Sequence, residues 1–132
     1  MMSAHSRRPD PNQLACEVEV GTHVLICDEP AAVGGNDRGP TPHDLFDAAL
    51  AACTSLTVTL YARRKGWTVE DVRVTITRDD REERNGVYRL QRRIEFIGAL
   101  NDEQRQRLME IAERCPIHRL MHAKIEITSL SG

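Results

Sequence analysis

The sequence predicts an α+β fold, with helices packed against antiparallel hairpins. Two observations carry this. Segments in which apolar and polar residues alternate come in pairs joined by turn-forming stretches, as antiparallel strands do. Between and after these pairs stand two helical segments, one long and nearly all apolar, the other with a single apolar stripe. The order is β-β-α-β-β-α-(α)-β. At 132 residues the chain is sized for one domain with a modest core. Aromatic residues make up 4%, so that core rests on Leu, Val, Ile and Ala.

Residues 1–13 carry Arg7, Arg8, Pro9 and Pro11 and are expected to form a flexible tail, with a single domain over 14–132. Leu14, Cys16, Val18 and Val20 alternate with Ala15, Glu17 and Glu19, a strand with one buried face. Gly21-Thr22 turns the chain, and His23–Asp28 returns. Cys16 falls on the apolar face, and Cys16 and Cys27 are read as buried structural thiols. The Gly- and Pro-rich stretch from Pro30 to Pro40 lacks the spacing of a phosphate loop. It is expected to lead into the helix and shape a site wall.

The central helix runs from Thr41 to Lys65. Thr41 suits the N-cap, Pro42 the first helical position, and Asp44 the third, where its carboxylate closes a capping box. Arg63, Arg64 and Lys65 complement the negative helix end, and Gly66 stops it. At 1.5 Å per residue it spans about 36 Å. Leu45, Phe46, Ala48, Ala49, Leu50, Ala51 and Ala52 leave almost no polar face, so burial on most sides is expected, with Cys53 in the middle; one small sheet covers only one side, and a second subunit is the simplest further cover.

After the helix, Val72, Val74 and Ile76 alternate with Arg73, Thr75 and Thr77. A charged tip from Asp79 to Gly86 contains Asn85-Gly86, a turn signal. Tyr88, Leu90, Ile94 and Phe96 form the returning strand. Arg92 interrupts its apolar face and is expected to pack its stem and extend its head to solvent or an interface. Asn101–Gln104 caps the second helix, whose Leu108, Ile111, Ala112 and Cys115 form one stripe. Pro116 breaks that helix and starts a short one through His122. Lys124–Leu130 is expected to close as a strand.

A formal net charge of −2 argues against a general nucleic-acid binder. Met1–Gln13 has no apolar core of a signal peptide. Asp47, Thr54, Ser55, Thr57 and Thr59 argue against a membrane span, and a cytoplasmic location is expected. The four cysteines lack zinc-finger spacing. Without a secretory signal they are read as reduced or redox-active thiols.

Gly34–Trp67 (GGNDRGPTPHDLFDAALAACTSLTVTLYARRKGW) and Leu100–Leu120 (LNDEQRQRLMEIAERCPIHRL) resemble the OsmC/Ohr family, which includes the organic hydroperoxide reductases. The resemblance covers roughly residues 14 to 130 and looks closer to the OsmC-like branch. It implies an OsmC-like fold, an intertwined homodimer with central helices sandwiched between sheets, and active sites at the subunit interface. It implies that Cys53 is the peroxidatic cysteine and Cys115 the resolving one.

A thiolate takes one oxygen from a peroxide and becomes a sulfenic acid, a second thiol condenses with it to a disulfide, and an external dithiol restores the pair. No other cofactor is expected. The two Cα atoms must lie about 4.4–6.8 Å apart. The residues alone leave open whether Cys53 and Cys115 are instead two buried core thiols. Phe46, Leu50 and Leu56 are expected to form a pocket wall that favours small hydrophobic hydroperoxides.

The hydroperoxide reductases carry a Glu ten residues before the reactive Cys, where this chain has His43. They also carry an Arg in the N-terminal hairpin, whereas Asp10–Asp37 contains no Arg or Lys. Thiolate tuning is therefore assigned to His43, Asp44, His118, Arg38 or Arg119, with Arg7, Arg8, Arg63 and Arg92 as further cations. The alternative function is a non-catalytic, redox-responsive or small-ligand-binding dimer. A lesser one is a zinc site at Cys115, His118 and His122 with Cys53 as a fourth ligand. Ser55 lacks the GxSxG elbow of a hydrolase.

Overall fold

In a computed structural model describing residues 2–132, the backbone forms two compact units, the first ending at Phe46 and the second starting at Asp47. The first unit holds a three-stranded antiparallel sheet in the order β1 (Ala4–Arg7), β2 (Cys16–Val20) and β3 (His23–Cys27). β2 and β3 form the expected hairpin, with Val20 opposite His23 and Cys16 opposite Cys27. β1 was not expected, because its segment reads as a tail. It pairs with β2 from Ala4 opposite Val20 to Arg7 opposite Glu17. All four of its side chains are exposed, so main-chain bonding forms this edge strand without an apolar pattern to betray it.

The stretch after β3 is organised by Asp28, which is only 3% exposed. Its carboxylate accepts hydrogen bonds from the Glu29, Asn36 and Arg38 N–H groups at 2.8, 3.1 and 3.1 Å. A short 3-10 turn covers Ala31–Val33. A Cβ at Gly35 would collide with the Glu29 carbonyl, so the backbone packs on itself where only glycine fits. Helix α1 (Pro42–Lys65) follows. Its capping box forms as expected, with Thr41 N–H donating to Asp44 Oδ2 at 3.0 Å and Asp44 N–H to Thr41 Oγ1 at 3.1 Å.

In the second unit α1 ends at Gly66, which has φ +70°. The Gly66 and Trp67 N–H groups bond back to the Arg63 and Ala62 carbonyls, an ending that glycine favours. Strands β4 (Asp71–Asp79) and β5 (Arg89–Ile97) form a second antiparallel pair, from Asp71 opposite Ile97 to Asp79 opposite Arg89. α2 (Asp102–Ala112) starts with an Asn101/Gln104 capping box, and α3 (Pro116–Met121) follows at once. Val58 and Ala62 of α1 pack with Val72, Phe96, Leu108, Ile111 and Ala112 into one core.

One expectation about this unit is corrected, the strand at Lys124–Leu130. Within the single chain α1 is buried along one face. Its buried residues are Leu50, Thr54, Val58 and Ala62, one stripe at i, i+4, i+8 and i+12, while Leu56 and Leu60 are 63% and 53% exposed. One hairpin and one further helix cover only one side of a rod. Lys124–Leu130 forms no strand, and Ile125 and Ile127 are 60% and 84% exposed. A strand needs a neighbouring edge, and among the described residues none pairs with this segment.

Length and composition alone would let α1 cross a membrane. Its polar side chains are instead bound within the unit. Asp47 accepts from Arg78 and from the Tyr88 hydroxyl at 2.9 and 2.7 Å, and Ser55 donates to the Val72 carbonyl at 3.1 Å.

Candidate functional site

Cys53 sits near the middle of α1, half-buried, and Cys115 is the fully buried N-cap of α3. The second unit brings them together. α1 presents Cys53 beside its buried stripe. The apolar stripe of α2 carries Cys115 inward, and Pro116 then turns the chain into α3 so that the Ile117 and His118 N–H groups face the sulfurs.

The pair is asymmetric. Burial opposes ionisation of Cys53. Hydrogen bonds from the Cys115 thiol, the Ile117 N–H and Thr57 outweigh it and lower its pKa. Thr57 Oγ1 lies 3.8 Å from the Cys53 sulfur, one helical turn on. Cys115 goes the other way. Burial, then the bond it donates to Cys53, raise its pKa more than the Ile117 and His118 N–H groups lower it. Ionisation is thus favoured at Cys53 over Cys115.

Arg92 of β5 lies between α1 and the C-terminal end of α2. The expectation that its head reaches out is corrected: its side chain is 10% exposed. It donates to Thr54 Oγ1 at 3.0 Å, to the Ala112 carbonyl at 3.4 Å and to Glu113 Oε1 at 3.2 Å. It therefore ties α1 to the C-terminal end of α2, where a cation is favoured. Thr54 also donates to the Leu50 carbonyl at 2.7 Å. The signal was the break in the apolar alternation of β5. Snorkelling was expected because one strand cannot show that two helices cover its inner face.

His118 lies beside Cys115, with Nε2 3.1 Å from Glu113 Oε2. Burial, then Arg92, lower its pKa against the pull of Glu113, so it favours the neutral form. Arg119 is exposed on α3. Arg38 belongs to the first unit, where Nη1 bonds Gln13 Oε1 at 3.4 Å. In the same unit His43 is exposed at the start of α1, and the Asp44 carboxylate is used by the cap.

The residues assigned to the pocket wall differ in exposure. Leu50 is 5% exposed within the buried stripe, while Phe46 and Leu56 are 46% and 63% exposed. Leu50 and Leu56 stand six residues apart, so they face directions about 120° apart. A cleft of about 500 Å³ lies at the C-terminal end of α1, lined by Tyr61, Lys65, Trp67, Gln104 and Arg107 among others.

The zinc alternative is corrected too. Among the described residues no group of three or more His, Cys, Asp or Glu is arranged to hold a metal. His122 Nδ1 bonds the His118 carbonyl at 2.8 Å, and His118 Nε2 is directed to Glu113, because Pro116 breaks the helix that would have aligned them with Cys115. Sequence reasoning missed Thr57 and Glu113; the i+4 spacing of Thr57 from Cys53 was the available signal.

The site is an α+β scaffold with one cysteine on the central helix and a second at the turn between α2 and α3, the first pKa lowered and the second raised. The chain belongs to the OsmC-like protein family, whose profile matches residues 34–129, and this associates it with redox or peroxide-related chemistry. No curated protein matches the sequence. Among solved structures, the fold is similar to that of an OsmC-like protein from Mycoplasma pneumoniae, with a TM-score of 0.73, 17% identity, and 92% of this chain and 87% of that one covered. It is also similar to an organic hydroperoxide resistance protein from Elizabethkingia anophelis (TM-score 0.67, 22% identity, 96% and 91% covered). A third is the organic hydroperoxide resistance protein OhrB of Bacillus subtilis (TM-score 0.62, 19% identity, 92% and 90% covered).

Proposed function

We propose that this chain is a thiol-dependent peroxide reductase that acts on small organic hydroperoxides. What supports it is the placement of Cys53 on α1 and Cys115 at the start of α3 within one unit, with the Cys53 pKa lowered and the Cys115 pKa raised, in a chain of the OsmC-like family. Cys53 is the peroxidatic residue. Its thiolate attacks the outer oxygen of ROOH, the O–O bond breaks, and the alkoxide leaves as ROH after taking a proton. Cys115 is the resolving residue. Its sulfur attacks the Cys53 sulfenic acid, water leaves, and a disulfide forms. An external dithiol reduces that disulfide by exchange.

The working form is proposed to be a cytoplasmic homodimer. Ala49, Ala52, Leu56 and Leu60 leave an apolar face of α1 exposed, and Ile125, Ile127 and Leu130 leave an unpaired extended segment. Such surface favours cover by a second copy. The chain covers 87–91% of the three structures described above, and the names of two of them, as hydroperoxide resistance proteins, support the choice of substrate.

The test is consumption of cumene hydroperoxide with excess dithiothreitol. Sustained turnover that Cys53→Ser abolishes supports the reading; equal slow loss with both proteins overturns it. A second reading is a redox-responsive dimer that oxidises without sustained turnover. It is favoured by the neutral character of the groups that lower Cys53, namely a thiol, an amide and a hydroxyl. It predicts slow formation of the Cys53–Cys115 disulfide and no steady-state rate.

A further inference from the structure

The first unit holds a second pair of cysteines that the proposed reaction does not use. Cys16 on β2 stands directly opposite Cys27 on β3, and both are free thiols. Directly opposed residues of antiparallel strands have Cα atoms about 4.5–5.5 Å apart and side chains on one face. That lies inside the range of about 4.4–6.8 Å that a disulfide spans. The two thiols already interact: burial, then Cys16, raise the Cys27 pKa, and Glu29 and Asp28 add to it.

Access to them is unequal. Cys16 is half-buried and within reach of solvent, whereas Cys27 is 5% exposed. An outer thiol that attacks and an inner one that resolves is what thiol–disulfide exchange requires. The pair also lies where a covalent bond has a consequence. Cys27 is the last residue of β3, and the next residue is Asp28, whose carboxylate gathers the Glu29, Asn36 and Arg38 N–H groups.

We infer that Cys16 and Cys27 form a second thiol–disulfide couple, which exchanges with disulfides of small thiols and, when oxidised, braces the base of the Asp28 loop. The Cys16 thiolate attacks one sulfur of RSSR. A Cys16–SR bond forms, the RS–SR bond breaks, and the departing thiolate takes up a proton. Cys27 then gives up its proton and attacks the Cys16 sulfur. The Cys16–Cys27 bond forms, the second RS⁻ leaves, and it becomes RSH. The chain loses two electrons and two protons, and RSSR gains both. The couple does not depend on the chemistry of Cys53 and Cys115.

The test uses the full chain carrying Cys53→Ser and Cys115→Ser, incubated with oxidised glutathione, quenched in acid and alkylated after denaturation. Trypsin leaves Cys16 and Cys27 in one peptide that ends at Arg38. The expected product is that peptide with two hydrogens lost and neither thiol alkylated. On the same background Cys27→Ser is expected to accumulate a lasting glutathione adduct on Cys16, and Cys16→Ser to leave Cys27 without one. Two alkylated thiols, or adducts in equal amount on Cys16 and Cys27 without the internal bond, overturn the inference. Should the double variant not fold, the same peptide from the unaltered chain decides it, because Cys53 and Cys115 fall in other peptides.

Discussion

Replacing Arg92 by Ala tests whether one buried guanidinium holds α1 and α2 together. Its bond to Thr54 at 3.0 Å is charge-assisted, a kind that contributes about 1.5–3 kcal/mol. The pair with Glu113 is discounted, because that carboxylate is 60% exposed and exposed pairs give about 0–1 kcal/mol. Loss of the packed stem adds roughly 0.8 kcal/mol per methylene. Relief of the cost of burying a cation subtracts a few kcal/mol. The net is a destabilisation of about 2–4 kcal/mol, a large effect for one residue. Urea denaturation measures it, with Glu113→Ala expected to lose less than about 1 kcal/mol. Arg92→Met keeps the stem and is expected to fall between the two. If Arg92→Ala proves no more damaging than Glu113→Ala, the guanidinium does not tie the helices together.

Three further outcomes follow from the same geometry. Thr57→Val removes one donor to the Cys53 sulfur, so iodoacetamide should alkylate Cys53 a few-fold more slowly at neutral pH, with the half-reaction pH moved upward; an unchanged pH profile contradicts the role given to Thr57. His118 has a folded pKa below the usual value of about 6.5, so the unfolded chain binds the proton more readily. The stability this residue contributes is complete above about pH 6.5 and is lost as the pH falls from there through its folded pKa. His118→Gln should flatten the pH dependence of the urea midpoint in that window, and an unaltered slope tells against it. Leu108→Ala empties a fully buried site and should cost about 2–5 kcal/mol, whereas Leu56→Ala, which is 63% exposed, should leave the stability of the isolated chain within about 0.5 kcal/mol.

The elements that were legible in the sequence are those whose signals are local. The Thr41/Asp44 and Asn101/Gln104 boxes, the Gly66 stop and the alternation of β4 and β5 each lie within a few residues, and each formed as read. The stripe of Leu108, Ile111, Ala112 and Cys115 is local as well, and it set Cys115 facing inward. The misses concern relations between distant segments. β1 has no apolar pattern, so only the presence of β2 makes it a strand. Lys124–Leu130 has the pattern of a strand but no edge to join. Arg92 looks the same in sequence whether it faces solvent or two helices. The zinc alternative failed for a local reason that the sequence displays: Pro116 separates Cys115 from the helical face on which His118 was counted.

The assignment of roles in the proposed reaction rests on which sulfur is the stronger acid, and the groups around each favour Cys53 without a neighbouring cation. As thiolate, Cys53 keeps three donors, from Cys115, Ile117 and Thr57. As thiolate, Cys115 would sit at zero exposure, would no longer donate to Cys53, and would face that sulfur as an acceptor. Exchanging the two roles therefore trades a half-buried anion with three donors for a fully buried one that keeps the Ile117 and His118 N–H groups but faces a lone pair, and burial of charge is the costlier state. If this reasoning holds, Cys115→Ala should slow peroxide attack at Cys53 as well as abolish disulfide formation, because it deletes the donor that acidifies Cys53. A single-turnover measurement of sulfenic acid, trapped with dimedone, separates the two effects. An attack rate unchanged in Cys115→Ala would show that the acidity of Cys53 arises elsewhere.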